Sequence, residues 1–301
     1  ILLLYIPNHV QGRVPVFVGY NFMGNQTTTL EPSIYYSPGL RFVHGKDSPV
    51  WTRGAQKNRW CYDKILERAV ATMCYHDIYP DRAELRDYSV ASLFPDYISG
   101  SKNHDEWEAI GVWAWGSSRI VDYLEREGRI DMSKIAIMGH SRQGKAALWS
   151  GAQDSRFKVV ISNDSGCGGA ALSKRVYGEN IARITTVLSH WFCPAFSQYA
   201  GNEENLPFDQ HEMLALIAPR HLYVASAEGD LWADPKGEYL SAYYTNKVYE
   251  LYKMKGLDSP VPPAVHQPIM NDVGYHIRAG KHDVTDYDWE RFMDFCDLHF
   301  K

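Results

Sequence analysis

The feature that most constrains this chain is a strand, a tight turn and a helix that follow one another in residues 135–148. The segment reads IAIMGHSRQGKAAL. An apolar run ends at Gly139, a Gly-x-Ser-x-x-Gly turn follows, and helix-forming residues come next; in the commoner motif the second glycine stands one position earlier. Such a turn raises the hydroxyl of Ser141 above the sheet edge, beside backbone N–H groups of the helix that favour a negative oxygen. The segment therefore predicts a nucleophilic serine rather than a simple helix cap.

A serine hydroxyl is a weak nucleophile and needs a base that removes its proton. In the chain order of α/β-hydrolases, an acid and then a histidine follow the serine. The apolar strand HLYVASA at 221–227 is followed by Asp230. A carboxylate just past a buried strand, at the carboxyl edge of the sheet, is in the position of the acid. We predict Asp230 as the acid. Asp234 could instead cap the next helix, and Glu228 could be a solvated loop charge.

The base is chosen among the histidines that follow Asp230 in the chain. They are His266, His276, His282 and His299. His282 lies in a glycine-containing loop that precedes the last predicted helix, which is the position that the base requires. His276 is the second choice. We predict acyl transfer in which Ser141 attacks an ester carbonyl and His282 moves the proton.

Two cations follow the serine on the predicted helix. Arg142 and Lys145 are one helical turn apart and can face the same cleft. The main-chain N–H of Arg142 would be one oxyanion donor, and its guanidinium could stabilise the developing charge. The alternatives are a surface ion pair for Arg142 and a solvated charge for Lys145.

The hydrophobic pattern alternates short apolar runs with longer helical stretches, which predicts an α/β fold with a mainly parallel sheet. The predicted strands are Leu2–Ile6, Val14–Gly19, Ala69–Tyr75, Ile135–Met138, Val159–Ser162 and Leu222–Ser226. The predicted helices are Trp60–Arg68, Glu106–Glu127, Gly144–Ala152, Asn180–Leu188, Glu238–Met254 and Asp286–His299. Residues 21–60 and 78–105 lack periodicity and are interpreted as surface loop inserts. We therefore predict one catalytic domain over residues 1–301.

Composition excludes several classes of protein. The net charge of −5 argues against a nucleic-acid partner, and no apolar run is long enough for a transmembrane helix. The opening run ILLLYIPN lacks a basic stretch and a cleavage site, so we interpret it as a buried strand of a mature chain. Five cysteines form no metal-site spacing. One disulfide is conceivable, with Cys167 and Cys193 as the candidate pair, and the alternative is five buried thiols.

Several longer motifs accompany the strand–turn–helix segment around Ser141. They are GHSRQGKAAL (139–148), NDSGCGGAAL (163–172), HWFCPAF (190–196), LIAPRHLYVASAEGDLWADPKGE (216–238) and GYHIRAGKHDVTDYDWERF (274–292). Together they resemble the bacterial glucuronoyl esterases of carbohydrate esterase family fifteen. That resemblance implies the α/β-hydrolase fold, a three-layer sandwich around a twisted and mostly parallel sheet. It also implies cleavage of esters between lignin alcohols and the (4-O-methyl-)glucuronic acid branches of xylan, without a metal or cofactor.

The resemblance assigns roles residue by residue. Ser141 matches the nucleophile and His282 the base, while Arg142 matches an arginine that assists the oxyanion and holds the uronate. The sugar-contacting positions match Lys145, Glu179 and Trp232. Trp232 could stack on a pyranose, although a core tryptophan is the alternative.

The acid is the ambiguous position in this resemblance. Fungal members carry a Glu where this chain has Asp164, whereas many bacterial members carry an acid that matches Asp230. An aspartate is one methylene shorter than a glutamate, so Asp164 would reach less far toward His282. We predict Asp230 as the acid and keep Asp164 as the alternative.

Two other functions remain open at this point. The same fold could carry a different carbohydrate esterase, such as an acetyl-xylan esterase, or a catalytically inactive carbohydrate-binding protein. The resemblance further implies glucuronoxylan–lignin esters as substrate and a secreted or periplasmic enzyme. We expect a monomer with no nucleic-acid or membrane partner.

Overall fold

The strands form one eight-stranded sheet in the computed structural model, which describes residues 1–43, 48–65, 67–95 and 102–300. The strands are β1 (Leu2–Tyr5), β2 (Val14–Asn21), β3 (Ala69–Cys74), β4 (Ile130–His140), β5 (Val159–Asn163), β6 (His221–Ala227), β7 (Ile269–Met270) and β8 (Val273–Arg278). Their spatial order is β1-β3-β2-β4-β5-β6-β8-β7. The two edge strands pair antiparallel with their neighbours, and all the pairs between them are parallel.

Helices cover both faces of this sheet. They are α1 (Leu40–Val43), α2 (Ala109–Glu127), α3 (Arg142–Gln153), α4 (Ile181–Val187), α5 (Gln210–Ala215), α6 (Pro235–Tyr244), α7 (Asn246–Leu251) and α8 (Asp286–His299). Within the described ranges, no helix is both long and apolar enough to cross a membrane.

The two faces of the sheet carry separate cores because side chains alternate along a strand. Val16 and Val18 of β2 pack with α2, α3 and α6 in one buried cluster. Phe17, between them, packs on the other face with Trp289 and Phe292 of α8. The chain is therefore the predicted three-layer α/β sandwich with a mostly parallel sheet. The apolar stripe predicted on the helix that is α2 is buried at Ile110, Trp113, Ala114, Ile120, Val121 and Leu124.

The parallel order of four adjacent strands brings the candidate residues to one edge. Ser141 follows β4, Asp164 follows β5, Asp230 lies shortly after β6, and His282 lies shortly after β8. These four strands are neighbours in the sheet, so their carboxyl ends open on the same crevice. Crevices outside the carboxyl ends of parallel strands are the usual ligand sites of open α/β sheets.

Two predicted helices were wrong in part. The described residues of Trp60–Arg68 form turns instead of a helix, because Trp60, Cys61 and Ile65 point together into the core beneath α8 rather than along a helical stripe. The predicted helix Glu238–Met254 begins earlier, at Pro235, and is interrupted at Thr245. The Thr245 hydroxyl donates to Ala242 O at 2.7 Å, a local bond that competes with helix continuation.

The sheet edges also differ from the sequence prediction. Strands β7 and β8 lie in a stretch where no strand was predicted, since β8 is buried on both faces and shows no alternation. The opening strand β1 was expected to be buried but is half-buried, because an edge strand has one neighbour only. Residues 25–28 of the first predicted surface insert are buried instead. All five cysteines are free, so the Cys167–Cys193 bridge is wrong.

Candidate active site

The backbone at Ser141 has the strained conformation of a nucleophile elbow. Ser141 has φ of 57° and ψ of −129°, and it immediately precedes α3. Its N–H donates to Asn163 O at 2.9 Å, which ties the turn to the end of β5. A Cβ at Gly139 would lie 1.9 Å from Gln143 O, and one at Gly144 would lie 2.8 Å from the Ser165 side chain. Glycine at both positions therefore lets the helix start against the strand and the next loop.

The structure brings His282 and Asp230 into direct contact. The distance from His282 Nδ1 to Asp230 Oδ2 is 2.5 Å across 52 positions of sequence. Asp230 is buried, whereas 43% of the His282 side chain is exposed. A buried carboxylate that accepts from one ring nitrogen fixes the tautomer and leaves the other nitrogen to act as the base.

A buried arginine holds the loop that carries His282. Arg278 donates to the carbonyls of Ala279, Lys281 and Asp283, at 3.1, 3.0 and 2.5 Å. Its Nε donates to Asp288 at 2.8 Å, which anchors the guanidinium to α8. These bonds flank His282 on both sides, so Arg278 is a positioning residue. Nothing in the sequence marks Arg278 for this role, because an arginine at the end of an unrecognised strand gives no sign of its partners.

Asp164 lies beside the same histidine but in a different environment. One ligand atom each of Asp164, Asp230 and His282 lie within 4.8 Å of one another. Burial, with a further contribution from the charge of Glu238, raises the pKa of Asp164 well above its usual value. Its Oδ1 accepts the Ala227 N–H at 2.8 Å. Asp164 therefore lies in the same cluster as Asp230 and His282, and its role as a second carboxylate stays a prediction.

Glu238 holds the backbone that directly follows Asp164. Its Oε1 accepts the N–H groups of Ser165 and Gly166 at 2.7 and 3.0 Å, and its Oε2 accepts the Ser226 hydroxyl at 2.6 Å. Burial raises the pKa of Glu238 to about 7. The carboxyl therefore fixes the turn after Asp164.

Arg142 is held by one buried carboxylate, Asp81, whose contacts the sequence did not reveal. A short hydrogen bond joins Arg142 Nη1 to Asp81, whose carboxylate also accepts from His190 Nε2 at 2.8 Å and Trp191 Nε1 at 2.7 Å. Burial raises the pKa of Asp81, but the hydrogen bond from His190 and the charge of Arg142 outweigh it and hold that pKa well below its usual range. The Arg142 guanidinium lies 4.7 Å from the Trp191 ring centroid. Its Nε is buried with no hydrogen-bond partner among the residues that the structure describes.

Lys145, Glu179 and Trp232 form one connected group next to Arg142. The buried Lys145 Nζ donates to Ser165 O and Cys167 O, both at 2.6 Å, and to Glu179 at 3.1 Å. The Glu179 N–H donates to Trp232 O at 2.8 Å, and 53% of Trp232 is exposed. All three ammonium donors of Lys145 are thus used within the protein, which fixes Glu179 and the adjoining loop.

The alternative candidates for the acid and the base have other contacts in the structure. His276 is buried in β8 and contacts Asp288 at 2.9 Å, away from Asp230. Asp234 lies at the start of α6, but its carboxylate accepts from Arg175 at 2.8 Å instead of capping the helix. Glu228 is an exposed loop residue.

His140 is a further residue that the sequence analysis did not single out. It is buried, its Nδ1 lies 2.6 Å from Asn163 Oδ1, and its ring centroid lies 4.4 Å from that of His282. Burial, and then the neighbouring His282, lower the pKa of His140 well below 6.5. The folded protein therefore keeps this imidazole neutral under conditions in which the unfolded chain would protonate it.

We expect this exclusion of a proton to weaken the fold in acid. Below pH 6.5 the unfolded chain binds the proton and the folded chain does not, so stability falls with pH. Between pH 6.5 and 5.5 the unfolding free energy of the unaltered chain should fall by about 1 kcal/mol more than that of His140→Gln. Denaturant titrations of both proteins at the two pH values measure this. An unchanged pH dependence in His140→Gln would contradict the assignment; the exposed His104→Gln is the control.

Comparisons with known proteins agree with this geometry. A family model described as "Glucuronyl esterase, fungi" matches residues 99–252. The chain is 40% identical to the carbohydrate esterase MZ0003 of an unknown prokaryotic organism, over 99% of this chain and 71% of that protein. The chain belongs to the glucuronoyl esterase family. The resemblance stated from the sequence motifs is confirmed, and the protein is a carboxylic ester hydrolase of this family.

Solved structures of glucuronoyl esterases share the whole fold. The glucuronoyl esterase from Solibacter usitatus superposes with a TM-score of 0.94 at 43% identity, and the match covers 100% of this chain and 77% of that one. A 4-O-methyl-glucuronoyl methylesterase from Podospora anserina is 40% identical over 38% of this chain and 26% of that protein. The Solibacter enzyme thus matches in structure over the full chain, and the Podospora enzyme matches in sequence over a shorter stretch.

Proposed function

We propose that this glucuronoyl esterase family member hydrolyses esters of (4-O-methyl-)glucuronic acid by a serine mechanism. The observation that carries the proposal is the 2.5 Å contact between His282 and Asp230 at the sheet edge where Ser141 adopts its strained turn. His282 removes the proton of the Ser141 hydroxyl as its oxygen attacks the ester carbonyl. Asp230 orients the imidazole and stabilises the imidazolium.

The bond changes of the proposed reaction balance without a cofactor. The ester C–O bond breaks, the alcohol leaves with a proton from His282, and the uronoyl group remains on Ser141. His282 then activates a water molecule that attacks this acyl-enzyme, and the products are the uronic acid and free Ser141. Asp164 is the alternative acid; its raised pKa favours a neutral carboxyl and supports Asp230 for the charged role.

Arg142 is the proposed cation at the carbonyl. It directly follows Ser141, and its main-chain N–H belongs to the first turn of α3, where backbone donors lack helical partners. The buried Nε, without a partner among the described residues, adds a charged donor. The ion pair with Asp81 fixes the guanidinium in place before substrate binds, so little reorganisation is needed during attack.

The sugar is proposed to bind beside this centre. Glu179 presents its carboxylate to the sugar hydroxyls, and the buried Lys145, whose three donors are all used within the protein, acts by fixing Glu179 in place. Trp232 is two residues from Asp230 and half-exposed, so its ring is available to stack on a pyranose. We further propose that the natural substrate is a glucuronoxylan–lignin ester, that residues 1–301 act as one catalytic domain, and that the enzyme is a secreted or periplasmic monomer.

Substrate preference tests this proposal. We compare kcat/KM divided by the uncatalysed rate constant for two esters, benzyl glucuronate and 4-nitrophenyl acetate. This ratio should be larger for the glucuronate, because contacts to the uronate stabilise its transition state and the acetate cannot make them. Loss of one such contact is worth about 10–200-fold. Trp232→Ala should lower kcat/KM for the glucuronate within this range and leave the acetate unchanged. The matched control is Trp115→Ala, because Trp115 is a partly exposed tryptophan of α2 whose ring packs against Phe94 and Arg119 instead of the residues assigned to the sugar.

Two outcomes would contradict it. Faster turnover of 4-nitrophenyl acetate and acetylated xylan than of any uronate ester would favour an acetyl-xylan esterase. Binding of xylan fragments with no turnover of any ester would favour a carbohydrate-binding protein.

A further inference from the structure

The loops that carry two of the proposed sugar contacts lie against each other beside Asp230. The first loop spans residues 173–179 and ends at Glu179, and the second spans residues 230–234 and includes Trp232. The Glu179 N–H donates to Trp232 O at 2.8 Å, so the loops touch through their backbones. A displacement of one loop relative to the other would therefore move a sugar contact.

An ion pair joins the same loops through side chains. Arg175 Nε donates to Asp234 Oδ2 at 2.8 Å and to Asp234 Oδ1 at 3.1 Å. The Asp234 side chain is buried, and that of Arg175 is 30% exposed. A partly buried pair is screened less than a surface pair, and the loss of one partner leaves the other charge buried without compensation. This ion pair therefore holds the second loop against the first.

The backbone is strained on each side of the ion pair. Val176 directly follows Arg175 and has φ of 47°, in the left-handed region that β-branched residues avoid. Asp234 itself has φ of 55°. Such conformations persist only where neighbouring contacts hold them, and they are frequent at sites that bind ligands. We therefore expect the loops to relax when the ion pair is removed.

Packing gives the tips of these loops little support. Their large apolar side chains are exposed, namely Val176, Tyr177, Leu231 and Trp232. The hydrophobic effect stabilises a conformation only through side chains that leave water. The Arg175 guanidinium also lies 5.2 Å from the Tyr177 ring centroid, so the same side chain supports its own loop.

Asp230 is held by contacts other than this ion pair. Its N–H donates to Ala227 O at 3.1 Å, at the end of β6. The preceding Gly229 N–H donates to Gly280 O at 2.9 Å, in the loop that carries His282. The acid and the base are thus tied to the ends of β6 and β8, and loss of the ion pair should leave them in place.

We propose that Arg175 is a positioning residue for the sugar, which acts through Asp234 to hold Trp232 and Glu179 where both can contact one pyranose. This role rests on the proposed function, because it concerns the sugar contacts of that same site. Contacts to hydroxyls away from the ester change little between bound substrate and transition state. Their loss therefore raises KM and leaves kcat nearly unchanged.

Steady-state kinetics of Arg175→Met test this role. Methionine keeps an unbranched side chain but cannot donate to Asp234. We expect KM for benzyl glucuronate to rise about 10-fold, the effect of losing one good contact. Its kcat, and kcat/KM for 4-nitrophenyl acetate, should stay within about twofold of the unaltered chain. Arg175→Lys keeps the charge and should recover part of the change in KM.

The matched control is Arg156→Met. The Arg156 side chain is also 30% exposed, and its Nε donates to both carboxylate oxygens of the partly buried Asp154, at 3.0 and 3.2 Å. Asp154 directly follows α3, so this pair lies at the end of the helix remote from Ser141. The variant loses a comparable ion pair, and we expect KM for benzyl glucuronate to remain unchanged.

Hydrogen exchange measures the loosening of the loops without substrate. Amides of residues 173–179 and 231–234 should exchange faster in Arg175→Met than in the unaltered chain. An unchanged KM in Arg175→Met, an equal rise in Arg156→Met, or an equal loss of acetate and glucuronate turnover would overturn the role of Arg175. The proposed function fails separately, if the unaltered chain hydrolyses no uronate ester.

Discussion

Replacing Ser141 with alanine should abolish ester hydrolysis while leaving the fold intact. In the proposed reaction the Ser141 oxygen forms the bond to the acyl group. Alanine has no hydroxyl at this turn before α3, so the acyl-enzyme cannot form. In serine hydrolases with a complete triad, loss of the nucleophile lowers kcat by about 10⁶. We expect a loss of this size for benzyl glucuronate, measured as initial rates at saturating substrate.

The control for this variant lies on β4, the strand that precedes Ser141. Ser133 is an exposed serine near the start of β4, and Ser133→Ala should keep full activity. Thermal unfolding of both variants shows whether the fold is retained. We expect it to be retained in Ser141→Ala, because serine and alanine both carry a Cβ and experience the same backbone strain at position 141. Equal hydrolysis rates in Ser141→Ala and the unaltered chain would remove the serine mechanism.

Replacing Asp230 with asparagine should lower kcat by about 10⁴, because an amide stabilises the wrong tautomer of His282 and does not balance the imidazolium charge. The contact that carries this prediction is the one from Asp230 Oδ2 to His282 Nδ1. The exposed part of the histidine remains free to meet substrate, so KM should change little. Steady-state kinetics on benzyl glucuronate separate the two parameters.

Asp164→Asn is the matched comparison, since it makes the same chemical change beside the same histidine. Its raised pKa favours a neutral carboxyl, and an amide carries the same charge. We therefore expect a smaller loss of kcat than in Asp230→Asn. The reverse ranking would move the acid to position 164 and make Asp230 the supporting carboxylate.

Local sequence determined most of the fold and the elements that carry the chemistry. The run IAIMGHSRQGKAAL predicted the strand, the turn and the helix around Ser141 because glycine spacing and apolar periodicity are local properties. Helix α8 was predicted with its observed bounds, Asp286–His299, and in the structure Thr285 and Asp288 form a capping box at its first turn. Strand β8 was missed because a strand buried on both faces loses the alternation that identifies strands.

The sequence by itself determined which kinds of residues could act, namely a serine on an elbow, two aspartates after adjacent strands and a histidine in a late loop. Only the tertiary structure decided which aspartate contacts His282 directly and which has its pKa raised by burial, because contact and desolvation depend on neighbours distant in sequence. The same holds for Arg142, whose partner Asp81 lies 61 positions away. Side-chain pairing across such distances leaves no periodic signal, so it becomes visible only once the strands have set the loops side by side.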